Sequence, residues 1–162
     1  MATITTLAGG ASAGRTAGSV PYLVDKLVDF AAAATAKGSA LAASDVIEAI
    51  SVPVNTVILN AGIEITTVLG GESNDTTFDL GTGVDADNFV DGFDADAAAA
   101  GAYAQNAAAF QPLVVGATAD TIDITIATAT TAPTSGVARV WAVLMNVDGR
   151  IGADEVDRDQ LA

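Results

Sequence analysis

The run TIDITIATATTAPTSGVARVWAVLMNV, residues 121–147, decides the fold. In its first part Ile122, Ile124 and Ile126 alternate with Thr121, Asp123 and Thr125, the period-two pattern of a strand that buries one face and wets the other. In its last part Val137, Arg139, Trp141, Val143 and Met145 alternate with Ala138, Val140, Ala142 and Leu144, and the unbroken apolar stretch 140–145 predicts heavy burial. The intervening Thr-Ala-Pro-Thr-Ser-Gly supplies turn residues, so the two strands are expected to form an antiparallel hairpin.

Working upstream, 56–59 and 62–69 read as two β segments flanking Asn60-Ala61-Gly62, where a turn or bulge fits. Segment 45–53 places Val46, Glu48, Ile50 and Val52 opposite Ile47, Ala49 and Ser51, and Pro53 ends the strand or marks an edge. Residues 22–31 carry two periods, but strand alternation is preferred to the helical stripe Leu23, Leu27, Phe30. The Ala/Ser/Gly segment 31–44 has too few large apolar anchors for an amphipathic helix and reads as a turn or irregular excursion. Short strands are expected at 76–80, 88–93 and 113–115, and the internal helix candidate is 94–111, interrupted by Gly101 and closed by Pro112. Leu23, Val46, Ile65, Ile124 and Val143 are the expected core. About eight short strands separated by Gly, Pro, Ser and Asp predict an all-β protein, an antiparallel β-sandwich that is jelly-roll-like. Residues 1–20, small and poor in large apolar side chains, are expected to be a flexible N-terminal arm; 21–147 form the sandwich and 148–162 an acidic C-terminal tail.

Composition narrows the chemistry. The 162 residues suit one domain, and an apolar fraction of 51% overstates core-forming power because much of it is Ala. Assembly with other subunits is a plausible source of extra burial. Twenty acidic against 6 basic residues give a formal charge of −14. With no basic run or basic-aromatic patch, no nucleic-acid partner and no anionic membrane surface are expected. The absence of Cys and His excludes disulfides, thiol chemistry, His-dependent triads and His zinc sites. The first residues lack the cationic start and apolar core of a signal peptide, and no apolar run reaches transmembrane length.

Carboxylates are the remaining acid–base groups. Asp85, Asp87 and Asp91, with Asp94 and Asp96 nearby, lie in a Gly/Asp-rich stretch. Calcium favours hard oxygens on flexible loops, so Asp85, Asp87 and Asp91 are candidate calcium ligands; Asx turns account for the same residues without an ion. A carboxylate-pair hydrolase is disfavoured, since no aromatic sugar platform accompanies the cluster. A calcium-loop alignment of Asn146, Asp148, Gly149 and Glu155 fails at its first position, which is Leu144. Gly81 and Gly83 form a GxG without the further spacing of a dinucleotide site. Arg139 interrupts an apolar face and Trp141 is the single Trp; both are candidate interface residues, with ion pairing inside the chain and core packing as the plainer readings, and Phe110 raises the same question.

The combination SVPVNTVILNAGIEITTVLGG (51–71), TTFDLGTGVDADNFVDG (76–92) and GVARVWAVLMNV (136–147) resembles the small capsid decoration, or cement, proteins of tailed bacteriophages, over about residues 20–147. The resemblance implies a non-enzymatic β-sandwich, often a homotrimer, on the outer surface of the virion, where it reinforces contacts among subunits of the major capsid protein. The host cytoplasm is then its location during assembly. A tail or fibre component, or a carbohydrate-binding module, is the alternative.

Overall fold

Two sheets face each other across one apolar core in the computed structural model, which describes Thr3–Ile4, Gly9–Gly10 and residues 20–96, 98–105 and 112–147. The chain runs through β1 (Thr3–Ile4), β2 (Gly9–Gly10), β3 (Tyr22–Asp29), α1 (Phe30–Lys37), β4 (Val46–Val52), β5 (Thr56–Gly70) and β6 (Thr77–Thr82). It continues through β7 (Val90–Asp94), β8 (Tyr103–Gln105), β9 (Leu113–Val115), β10 (Asp120–Thr128) and β11 (Ser135–Asn146). The first sheet has the order β1-β4-β10-β6-β7, with β2 also on β4; the second has the order β3-β11-β5-β8, with β9 also on β5. Pairing is antiparallel except for β1 and β2, which run parallel to β4. This is the expected all-β sandwich.

The expected hairpin is not formed. β10 lies between β4 and β6 in the first sheet, and β11 lies between β3 and β5 in the second. Their connection crosses from one sheet to the other, bringing Ile122, Ile124 and Ile126 against the core from one side and Ala138, Val140, Ala142 and Leu144 from the other. The crossing is held by the neighbouring β5–β6 connection, which spans the same gap. Thr134 donates to the Gly70 carbonyl from both its N–H and its hydroxyl, at 2.9 and 3.0 Å. Thr130 N–H donates to Asp75 at 3.0 Å, and Ser73 N–H to the Thr131 carbonyl at 2.9 Å. Turn residues serve a tight hairpin and a sheet-to-sheet crossing alike, so local chemistry does not distinguish them.

The expected excursion after β3 begins instead with helix α1. Asp29 caps it, accepting from Ala31 N–H at 2.8 Å and Ala32 N–H at 3.2 Å, and Gly38 closes it in the left-handed region at φ 77°. Only Phe30 and Ala33 are buried, so no broad apolar stripe is required. Phe30 stacks on Phe78 of β6 with ring centroids 5.1 Å apart, tying the two sheets together. The helix expected within 94–111 is absent from 98–105. There Gly101, at φ 89°, donates to the Ile65 carbonyl at 2.7 Å, and β8 pairs with β5; residues 106–111, including Phe110, lie outside the described set.

β4 and β5 each carry a register irregularity. Opposite β10 the register steps from Ile50 to Glu48, so Ile47 and Ala49 face the core on one side of the step and Ile50 and Val52 on the other. Opposite β11, β5 has three steps, one of them between Asn60 and Ile58, and the two expected β segments are one strand. Of the expected core, Ile65 and Ile124 are fully buried, Val46 and Val143 are half-buried, and Leu23 is 66% exposed. β3 turns Val28 inward and Leu23 outward. Of the expected arm, Thr3–Ile4 and Gly9–Gly10 lie along β4; its other residues through 19, and 148–162, fall outside the described residues.

Candidate docking surface

The outer face of the second sheet is assembled by strand register. Leu23 of β3, Val143 of β11 and Asn60 of β5 form one row across the strands; Asp25, Trp141, Gly62 and Gln105 the next; Leu27, Arg139, Glu64 and Tyr103 a third. Farther along, Met145 lies beside Val57, and Val57 beside Val114 of β9. Directly paired residues project to the same side of a sheet. The rows therefore gather large apolar side chains on the surface: Leu23, Leu27, Tyr103 and Val114 are 66, 57, 66 and 60% exposed, and Trp141, Val143 and Met145 are half-buried.

Trp141 is fixed by what lies beneath it. A Cβ at Gly62 would come within 2.6 Å of the Trp141 Cζ2 atom and 2.8 Å of the Ala104 carbonyl oxygen, so the indole lies over a position that only glycine leaves open. Arg139 forms an ion pair with Glu64 across the β11–β5 ladder. This is the internal pairing, and it balances the two charges of that row, while Asp25 leaves an acidic side chain in the row of Trp141. Asn60 Oδ1 is buried without a hydrogen-bond partner among the described residues.

The outer face of the first sheet has opposite chemistry. Glu48, Asp123 and Gly81 form one row and Thr125 and Asp79 the next. Burial pushes Asp123 up to about 6, with Glu48 and Asp120 adding to the rise and a Thr121 hydrogen bond opposing it. Burial also raises Asp79, opposed by Gly92 N–H, which donates to it at 2.8 Å. The candidate calcium ligands lie beside this face. Asp87 is raised first by its hydrogen bond to the Asp85 side chain and then by burial, while Asp91 acts on Asp87 and Asp79 through charge. Among the described residues no three acidic side chains converge closely enough to hold a metal ion.

An open depression of about 470 Å³ lies at one end of the sandwich, between Val84 and 113–120; Asp120 is the single titratable side chain among its lining residues. Of the two candidate interface residues, the fold places both Arg139 and Trp141 on the apolar face, together with Leu23, Leu27 and Tyr103, which sequence reasoning assigned to the core or passed over. The signal for the leucines was present: Leu23 and Leu27 share an alternating face with Asp25 and Asp29, and a wholly solvated face does not need large apolar side chains.

No protein-family model matches the chain, and no curated protein does. Solved structures do match by fold. A chain in the capsid of Ralstonia phage GP4 superposes with a TM-score of 0.59 at 15% identity, covering 83% of this chain and 88% of that one. A chain in the cyanophage Pam1 capsid asymmetric unit gives 0.59 at 18% identity over 84% and 91%. A chain in the acid-stable capsid structure of the Helicobacter pylori bacteriophage KHP30 gives 0.50 at 15% identity over 78% and 87%. The sandwich described above is thus a fold found in bacteriophage capsids.

Proposed function

We propose that this chain is a non-enzymatic structural protein of a phage virion, which binds the outer face of the head and reinforces contacts among subunits of the major capsid protein. The observation that carries the reading is the apolar outer face of β3-β11-β5-β8 on a protein of net charge −14, and the recurrence of the fold in phage capsids supports it. Contiguous exposed apolar surface marks an interaction site. Trp141 and Tyr103 have the shape of interface anchors, and the Arg139–Glu64 pair needs no counter-charge from a partner.

The acidic first sheet then faces solvent, where like charge keeps neighbouring particles apart. In a homotrimer three copies of the apolar face would act together, so that modest contacts sum to firm attachment. The protein would reside in the host cytoplasm until heads are available. The test is to add purified protein to heads assembled without it. Saturable binding at repeated positions is the expected result, and binding confined to one vertex or to tails would replace this reading with a tail or fibre role.

A further inference from the structure

We infer that the outer face of the first sheet holds a calcium site built on Asp123 and Glu48, separate from the Asp85–Asp91 loop ligands that the sequence offers. Asp123 is 5% exposed; Thr121 hydrogen-bonds to its carboxyl, but its Oδ1 is buried with no hydrogen-bond partner among the described residues. An ionised oxygen left in that condition costs far more than one that is paired, so its environment calls for a ligand. Register places Glu48 of β4 directly beside it on the same face, and the charge of Glu48 is felt at Asp123. On the other side the paired residue is Gly81. In place of a side chain there, the loop that follows β6 lays its backbone over the sheet: a Cβ on Gly81 would meet the Asp85 carbonyl oxygen at 2.1 Å and the Ala86 carbonyl oxygen at 2.5 Å. The Asp85 carbonyl accepts from Thr82 N–H at 2.7 Å, which fixes the loop in that position.

Two carboxylates beside a backbone carbonyl are a hard-oxygen set, and calcium accepts such a mixture with water completing its coordination. Sodium and magnesium fit less well: the first gains less from two negative charges, and the second demands a stricter octahedron. Glu48 is half-buried and opens the site to solvent. With only two carboxylates the affinity belongs in the weak range of calcium modules, at about 10⁻⁴–10⁻³ M.

Thermal melting of the full chain, stripped with EDTA and titrated with calcium chloride to roughly 10 mM, tests this. Sodium and magnesium chloride at matched ionic strength control for screening. The wild type should rise by about 3–6 °C beyond those controls. Asp123→Asn should lose the response while melting in EDTA no lower than the wild type, which shows that it folds. Glu48→Gln should shift half-saturation at least tenfold, and Asp87→Asn should respond as the wild type does. Retention of the full response in Asp123→Asn, or its loss in Asp87→Asn, overturns the assignment, as does a wild type that responds no more than the controls.

Discussion

Asp123 and Asp75 are two carboxyls pulled in opposite directions, and together they shape the pH dependence of the fold. Asp123 titrates near 6 in place of 3.8. The folded state therefore holds its proton more tightly than the unfolded chain, and stability grows as pH falls through 6 towards 4; at neutral pH the ionised group costs up to about 3 kcal/mol. Asp75 is exposed but accepts hydrogen bonds from the Ser73 hydroxyl and from the Thr130 N–H and hydroxyl, which hold it down at about 2. Its contribution is present above 3.8 and is lost as pH falls through about 2. In metal-free buffer the melting temperature should rise from pH 7 to about 5 and fall below about 3.5. Asp123→Asn should flatten the rise; an unchanged profile would contradict the burial of that carboxyl. At Gly62 the close approach of Trp141 makes a different demand: Gly62→Ala must displace the indole and should cost about 1–3 kcal/mol in denaturant unfolding, a loss that an exposed glycine would not incur. Arg139 was legible as an interface candidate because it interrupts an apolar face, and Trp141 because it is the single Trp, although core packing was its plainer reading. Leu23 was not, since alternation assigns two faces but cannot say which is inward when both carry large apolar and charged side chains.

At the scale of elements, local caps and remote partners explain what the sequence did and did not reveal. The strands from 22, 45, 56, 76, 113 and 121 onward were readable because β-branched and aliphatic residues recur at period two. α1 was missed because its stability comes from its ends and from Phe30 on Phe78, not from an apolar stripe. Asp29→Ala should cost about 1 kcal/mol, read as a fall of roughly 2–4 °C in melting temperature, with the sheets intact. The crossing between β10 and β11 was missed for another reason. Its deciding contacts, from Thr130, Thr131 and Thr134 to Gly70, Ser73 and Asp75, join residues more than fifty positions apart. Asp75→Ala should accelerate hydrogen exchange at the Thr130 amide by roughly tenfold while leaving Ile124 protected. Equal acceleration at both amides would mean that the crossing and the core open together.

For the whole molecule, the sandwich separates two chemistries that the linear sequence interleaves. Along β11 and β3 every second residue belongs to the apolar-rich outer face, while along β4, β6 and β10 the outward positions carry Glu48, Asp79 and Asp123. Neither face exists as a contiguous motif, which is why composition spoke of acidity and the apolar patch emerged only from register. Because Leu23 and Leu27 are already exposed, the double substitution Leu23→Asp, Leu27→Asp should leave the melting temperature within about 2 °C. It should weaken binding to preformed heads by at least roughly tenfold, measured by co-sedimentation. Cryo-electron microscopy of heads reconstituted with this chain tests the central claim most directly. The account predicts density for the sandwich at repeated positions on the outer shell, with Trp141, Leu23 and Leu27 against the major capsid protein and Asp123 facing away. Density with the acidic sheet against the shell, or none on the head at saturating protein, would contradict it.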